Sequence, residues 1–71
     1  MVLADAKFTG KKSFRLTIDM LRKITEESDS KGMTPAIVVE FGEMPLGCHR
    51  DWAVVPLSFL AELIEEAENG G

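Results

Sequence analysis

The run Ala36-Ile37-Val38-Val39 constrains this chain more than any other segment. Four consecutive apolar residues, followed by Glu40 and Phe41, leave no side of a strand for water, so the run fits a strand covered on both faces. Such a strand needs neighbours. Upstream, the stretch VLADAKFT from Val2 to Thr9 sets Leu3, Asp5, Lys7 and Thr9 in alternation with Val2, Ala4, Ala6 and Phe8, and a strand sends these two sets to opposite faces. Between the two strands, Gly10, Lys11 and Lys12 make a turn, Ser13 to Leu16 is a short extended piece, and Thr17 is a good helix N-cap with Asp19 in the first turn. The helix is expected to reach about Ser30, with Gly32 as its stop. Its apolar stripe is Met20, Leu21 and Ile24, extended by Ile18, while Arg22, Lys23, Glu26, Glu27 and Asp29 face water. A strand, a helix of this length and a second strand form a right-handed crossover, which sets the first strand parallel to and beside the second.

Beyond Phe41, the segment GEMPLGCHRD has the glycines and proline of a long hairpin connection, and Trp52 to Val55 reads as a returning antiparallel strand ended by Pro56. Ser58 is placed to cap a last helix whose stripe, Phe59, Leu60, Leu63 and Ile64, is expected on the sheet, and residues 68–71 form a frayed tail. The expected fold is a single small domain over residues 1–71, α/β bordering on α+β. It has a three-stranded mixed sheet in the order β-α-β-β-α, both helices packed on the sheet, and a core of Leu21, Ile24, Val38, Val54, Phe59 and Leu63. The first strand is left as an open edge, and an unprotected edge invites strand addition by another chain.

A chain of 71 residues has a thin core, and domains of this size often depend on disulfides, metals or a partner. Cys48 is the only cysteine and His49 the only histidine, which excludes an intrachain disulfide and the Cys/His spacing of a structural zinc site. Cys48 itself reads as an ordinary loop cysteine, since no third group orients it as a nucleophile. Oligomerisation, or completion by another polypeptide, is the remaining expectation. The first residues have no apolar run of signal-peptide length and no stretch approaches a membrane span, which points to a cytoplasmic protein with no membrane partner.

The net charge of −4 is unevenly spread. Lys7, Lys11, Lys12 and Arg15 face only Asp5 within residues 1–15, a balance of +3, while residues 16–71 carry 4 basic and 11 acidic side chains, a balance of −7. Only the basic end suits a polyanion such as DNA.

Asp5 and Lys7 share one strand face, roughly 7 Å apart along the backbone by the strand rise. A carboxylate can hold a hard divalent cation while a neighbouring ammonium orients a bound water or offsets phosphate charge. Acid and lysine two apart also occur as simple charge compensation on surface strands.

The ordered segments DAKFTGKKSFRLTIDMLRKI, PAIVVEF and WAVVPLSFLAELI, covering about Leu3 to Ile64, resemble the C-terminal half of the PD-(D/E)XK, or restriction endonuclease-like, nuclease domain. The likeness is greatest to its phage-encoded Holliday-junction resolvase-like members. The resemblance implies a DNA endonuclease dependent on Mg2+ or Mn2+, in which Asp5 is the second metal-ligating acid, Lys7 the catalytic lysine and the backbone carbonyl of Ala6 a further ligand. It also implies that Lys12 and Ser13 lie near the scissile phosphate and that Lys11 and Arg15 touch phosphates. The family's first acidic ligand comes from a segment with no counterpart before Met1. The resemblance therefore implies completion by a second copy or another polypeptide; Glu40 lies on the neighbouring strand, where it could share the face of Asp5, but it reads first as a solvent-exposed or ion-paired side chain. Two alternatives stand beside this reading: a non-catalytic DNA-binding remnant of that fold, and a small oligomeric adaptor whose edge strand and acidic helix contact a partner protein.

Overall fold

The structure is a computed structural model and describes residues 1–70. Strand β1 (Val2–Thr9), helix α1 (Ile18–Ser30), strands β2 (Thr34–Phe41) and β3 (Asp51–Val54), and helix α2 (Leu57–Asn69) follow one another in the expected order. The strands form one mixed sheet in the order β1-β2-β3. β1 lies parallel to β2 in the register Val2↔Thr34 to Thr9↔Phe41, and β3 returns antiparallel from Glu40↔Asp51 to Ile37↔Val54. With two helices added to a mixed sheet, the arrangement is α+β.

Local chemistry explains the boundaries. The Thr17 hydroxyl accepts from the Met20 N–H at 3.2 Å, which satisfies a donor that the first helical turn leaves free. At the other end of α1, Gly32 takes φ +64°. The Gly32 N–H donates to the Asp29 carbonyl at 3.2 Å and the Met33 N–H to the Ser28 carbonyl at 2.8 Å, the paired closure of a Schellman motif. β2 begins two residues before the apolar run and takes in Pro35. Thr34 donates to β1, so the position of Pro35 directs its missing N–H away from β1, beyond the last β2–β3 pair at Ile37↔Val54, and no ladder bond is lost.

The core lies on one side of the sheet. Ile24 of α1 packs with Ile37 and Val39 of β2, ringed by Leu3, Phe14, Met20, Phe41 and Val54. Ile37 is 1% exposed and Ile24 5%. Ser28, one turn beyond Ile24, is also fully buried, and its hydroxyl is satisfied by the Thr25 carbonyl at 2.9 Å. The opposite face carries Val2, Ala4, Ala6, Phe8, Ala36, Val38 and Ala53, by the same register.

Several expectations need correction. No residue of α2 is buried: Phe59 is half-buried, and Leu57, Leu60, Leu63 and Ile64 are exposed, so the stripe is not seated on the sheet and Leu63 is not core. Leu21 and Ile18 are exposed, because α1 turns Met20, Ile24 and Ser28 to the sheet, residues spaced by four. Val38 is only half-buried, on the face that α1 does not cover. The cap of α2 is Pro56, without a side-chain bond. The Phe59 and Leu60 N–H groups donate to the Pro56 carbonyl at 3.1 and 3.3 Å, which puts Ser58 inside the first turn. α2 runs to Asn69 and the Gly70 N–H closes on the Glu66 carbonyl; Gly71 lies outside the described residues.

Candidate functional site

The pleat of β1 and its register with β2 decide which side chains meet. Leu3, Asp5 and Lys7 stand beside Pro35, Ile37 and Val39, on the face that α1 covers. α1 lies mainly over β2, so its near wall and the outer half of β1 enclose an open cleft of about 370 Å³ lined by Leu3, Asp5, Lys7, Met20, Lys23 and Glu27 among others. Its floor holds an ion pair, Lys7 Nζ to Asp5 Oδ2 at 3.2 Å, with both side chains a little under half exposed. At that exposure the pair contributes little to stability. What it does is neutralise the floor.

The other residues singled out in the sequence are not gathered here. Lys11, Lys12, Ser13 and Arg15 are exposed in the segment just past β1. Thr9 organises that turn: its hydroxyl accepts from the Lys11 N–H at 3.1 Å and donates to the Ser13 carbonyl at 3.4 Å. Lys12 lines a separate depression with Phe41, Glu43, Met44, Pro45 and Cys48. Glu40 pairs with Phe8, one residue out of step with Asp5↔Ile37, so it projects from the other face of the sheet and does not supply a second acid beside Asp5.

The Ala6 carbonyl has a defined place. Thr34 N–H donates to the Met1 carbonyl at 3.0 Å and Gly42 N–H to the Thr9 carbonyl at 2.8 Å, so odd-numbered residues of β1 direct their backbone groups at β2. In a parallel ladder the alternate residues, Val2, Ala4, Ala6 and Phe8, then direct theirs outward, along the open edge.

A hard divalent cation takes several converging oxygens. Among the described residues no group of three or more Asp, Glu, His or Cys side chains is placed to hold one, and the Asp5 carboxylate is already engaged by Lys7. The donors among the described residues therefore do not fit a magnesium or manganese site by themselves. Sequence reasoning missed Lys23 and Glu27 as walls of the cleft, since both read as solvent-facing; only the docking of α1 beside β1 brings them there. Among the described residues no helix is long and apolar enough to cross a membrane. Comparison with family models, with curated proteins and with solved structures finds no match to this chain.

Proposed function

We propose that this chain is a protein-interaction module, a half-covered α+β unit that acts inside an assembly of its own copies or with a complementing polypeptide. The observation that carries this reading is surface. The chain exposes 5792 Å² at a mass of 7.8 kDa. A compact monomer of that mass exposes about 4,400 Å². The excess, on the order of 1,400 Å², is larger than the roughly 800 Å² that each partner buries in a standard interface. The shape agrees: extents of 36 × 32 × 16 Å and a radius of gyration of 14.1 Å, against about 11 Å for a compact chain of this length. The uncovered apolar residues include Val2 and Phe8 on the far face of the sheet, Trp52 of β3, and Leu57, Leu60, Leu63 and Ile64 of α2. Sedimentation at micromolar concentration tests the reading. An assembly is expected, and a cooperatively folded monomer at every concentration refutes it.

A second reading is favoured by one observation, the presence of Asp5 and Lys7 together on the floor of the cleft. Here the chain is part of a PD-(D/E)XK-type nuclease acting on DNA, with further acidic ligands contributed from outside this chain and with Lys11, Lys12 and Arg15 meeting phosphates. The expected result is cleavage of branched or duplex DNA by the assembled protein in magnesium or manganese, lost in both Asp5→Asn and Lys7→Ala with the fold and the assembly retained. Cleavage unaffected by both substitutions, or none in any assembled form, removes this reading and leaves the interaction module.

A further inference from the structure

Resting on the assembly reading above, we infer that the partner is a second copy of this chain, paired antiparallel along the free edge of β1 with a two-fold axis at Ala6. β1 is the outer strand of the sheet, is eight residues long, and has no proline or bulge to blunt it. Its Ala4, Ala6 and Phe8 are exposed and turn their N–H and C=O groups outward. β3, the other edge, is only four residues long.

Backbone chemistry limits the register. Directly opposed residues of an antiparallel pair share the same hydrogen-bonding state, so an outward-facing residue must meet an outward-facing one. Self-pairing therefore turns on an axis through a residue, not between two. An axis at Asp5 sets that carboxylate against the partner's Asp5, and an axis at Lys7 sets the ammonium against the partner's Lys7. An axis at Ala4 opposes Asp5 with the partner's Leu3 and leaves both charges without a match. The axis at Ala6 alone opposes Asp5 with the partner's Lys7, in the closer, non-hydrogen-bonded kind of pair.

The same register fits by size. Ala6 meets the partner's Ala6, and Phe8, 66% exposed in the single chain, lies across the partner's Ala4, a large side chain over a small one. A two-fold axis normal to the sheet keeps each α1 on the same face. With each helix over its own β2, the two are separated by three strand spacings, about 14 Å, beyond the 8–10 Å of helix contact. They flank the seam without collision. On its floor the two Asp5–Lys7 ion pairs merge into one network of alternating charge.

The test uses Asp5→Lys and Lys7→Asp, each alone and mixed in equal amounts, followed by sedimentation and native mass spectrometry. Each variant alone opposes like charges on both sides of the axis and is expected to weaken self-association at least about tenfold. The mixture is expected to restore association as a heterodimer, although neither chain regains its internal ion pair. Ala6→Pro gives a second measurement. It removes an N–H that points only outward, so β1–β2 pairing is kept while the seam is blocked, and circular dichroism checks the fold. A wild-type dimer unaffected by all three substitutions, or variants whose mixture fails to associate, overturns the β1 seam and leaves the assembly reading standing. A wild-type chain that is monomeric throughout overturns both.

Discussion

Replacing Ile37 and, separately, Leu63 by alanine measures how the chain divides its stability between its own core and a partner. Ile37 is 1% exposed at the centre of the sheet, against α1. The change removes three carbons, about 2.4 kcal/mol at roughly 0.8 kcal/mol each. The residual cavity raises the total into the range of about 2 to 5 kcal/mol. Leu63 is already 45% exposed, so within a single chain its truncation forfeits about 1 kcal/mol. If α2 is covered by a partner, that cost grows, and the apparent stability of every variant that still assembles falls by about 1.4 kcal/mol on tenfold dilution. Urea titrations of both variants and the wild type at two concentrations tenfold apart separate the cases. A loss below about 0.5 kcal/mol for Ile37→Ala would refute the core assignment. Equal losses at the two positions, with stabilities that do not change on dilution, would refute the claim that α2 is uncovered within one chain.

The helix cap and two glycines give further checks. Thr17→Ala removes the acceptor for the Met20 N–H and is expected to lower stability by about 1 kcal/mol, seen as a shift in the urea midpoint with an unchanged slope. A Cβ on Gly32 meets nothing within 4 Å, so Gly32→Ala tests φ +64° alone and should lose about 1–2 kcal/mol. Gly10→Ala, equally unobstructed and without a positive φ, should be neutral or slightly stabilising; equal losses at both glycines would contradict the cap assignment.

Elements with a clear period were legible to within a residue or two. β1 alternates, α1 is bracketed by Thr17 and Gly32, and the apolar run of β2 fixes its place. That Pro35 fits inside β2 is not visible in the sequence, because only the register reveals that its missing N–H faces no partner. The stripe of α2 is visible in the sequence, yet an amphipathic helix states only that something covers it. Whether that is its own sheet or another chain depends on the short link after Val54, which has no periodic signal. The site was half legible. Asp5 and Lys7 share a face by alternation, but the wall formed by Lys23 and Glu27 depends on the tilt of α1. Which face Glu40 takes was not legible, because it follows from a parallel register that two separate strands do not encode in their own alternation. Ser28 was overlooked as polar, although a step of four from Ile24 put it on the buried line.

Each β1–β2 pair spans 32 residues of chain, from Val2↔Thr34 to Thr9↔Phe41, whereas β2 reaches β3 across 11 residues at Glu40↔Asp51. Closing the longer span costs more entropy before any contact rewards it. The hairpin and α1 are therefore expected to form first, with β1 as a late arrival. Until β1 docks, it is a bare strand on both sides, and an identical strand from a neighbouring chain competes for the same edge of β2. The long crossover thus makes the order of folding events, and the protein concentration at which folding occurs, determinants of whether β1 pairs within its own chain or is exchanged between chains. Refolding rates and yields measured over a wide concentration range would register that competition.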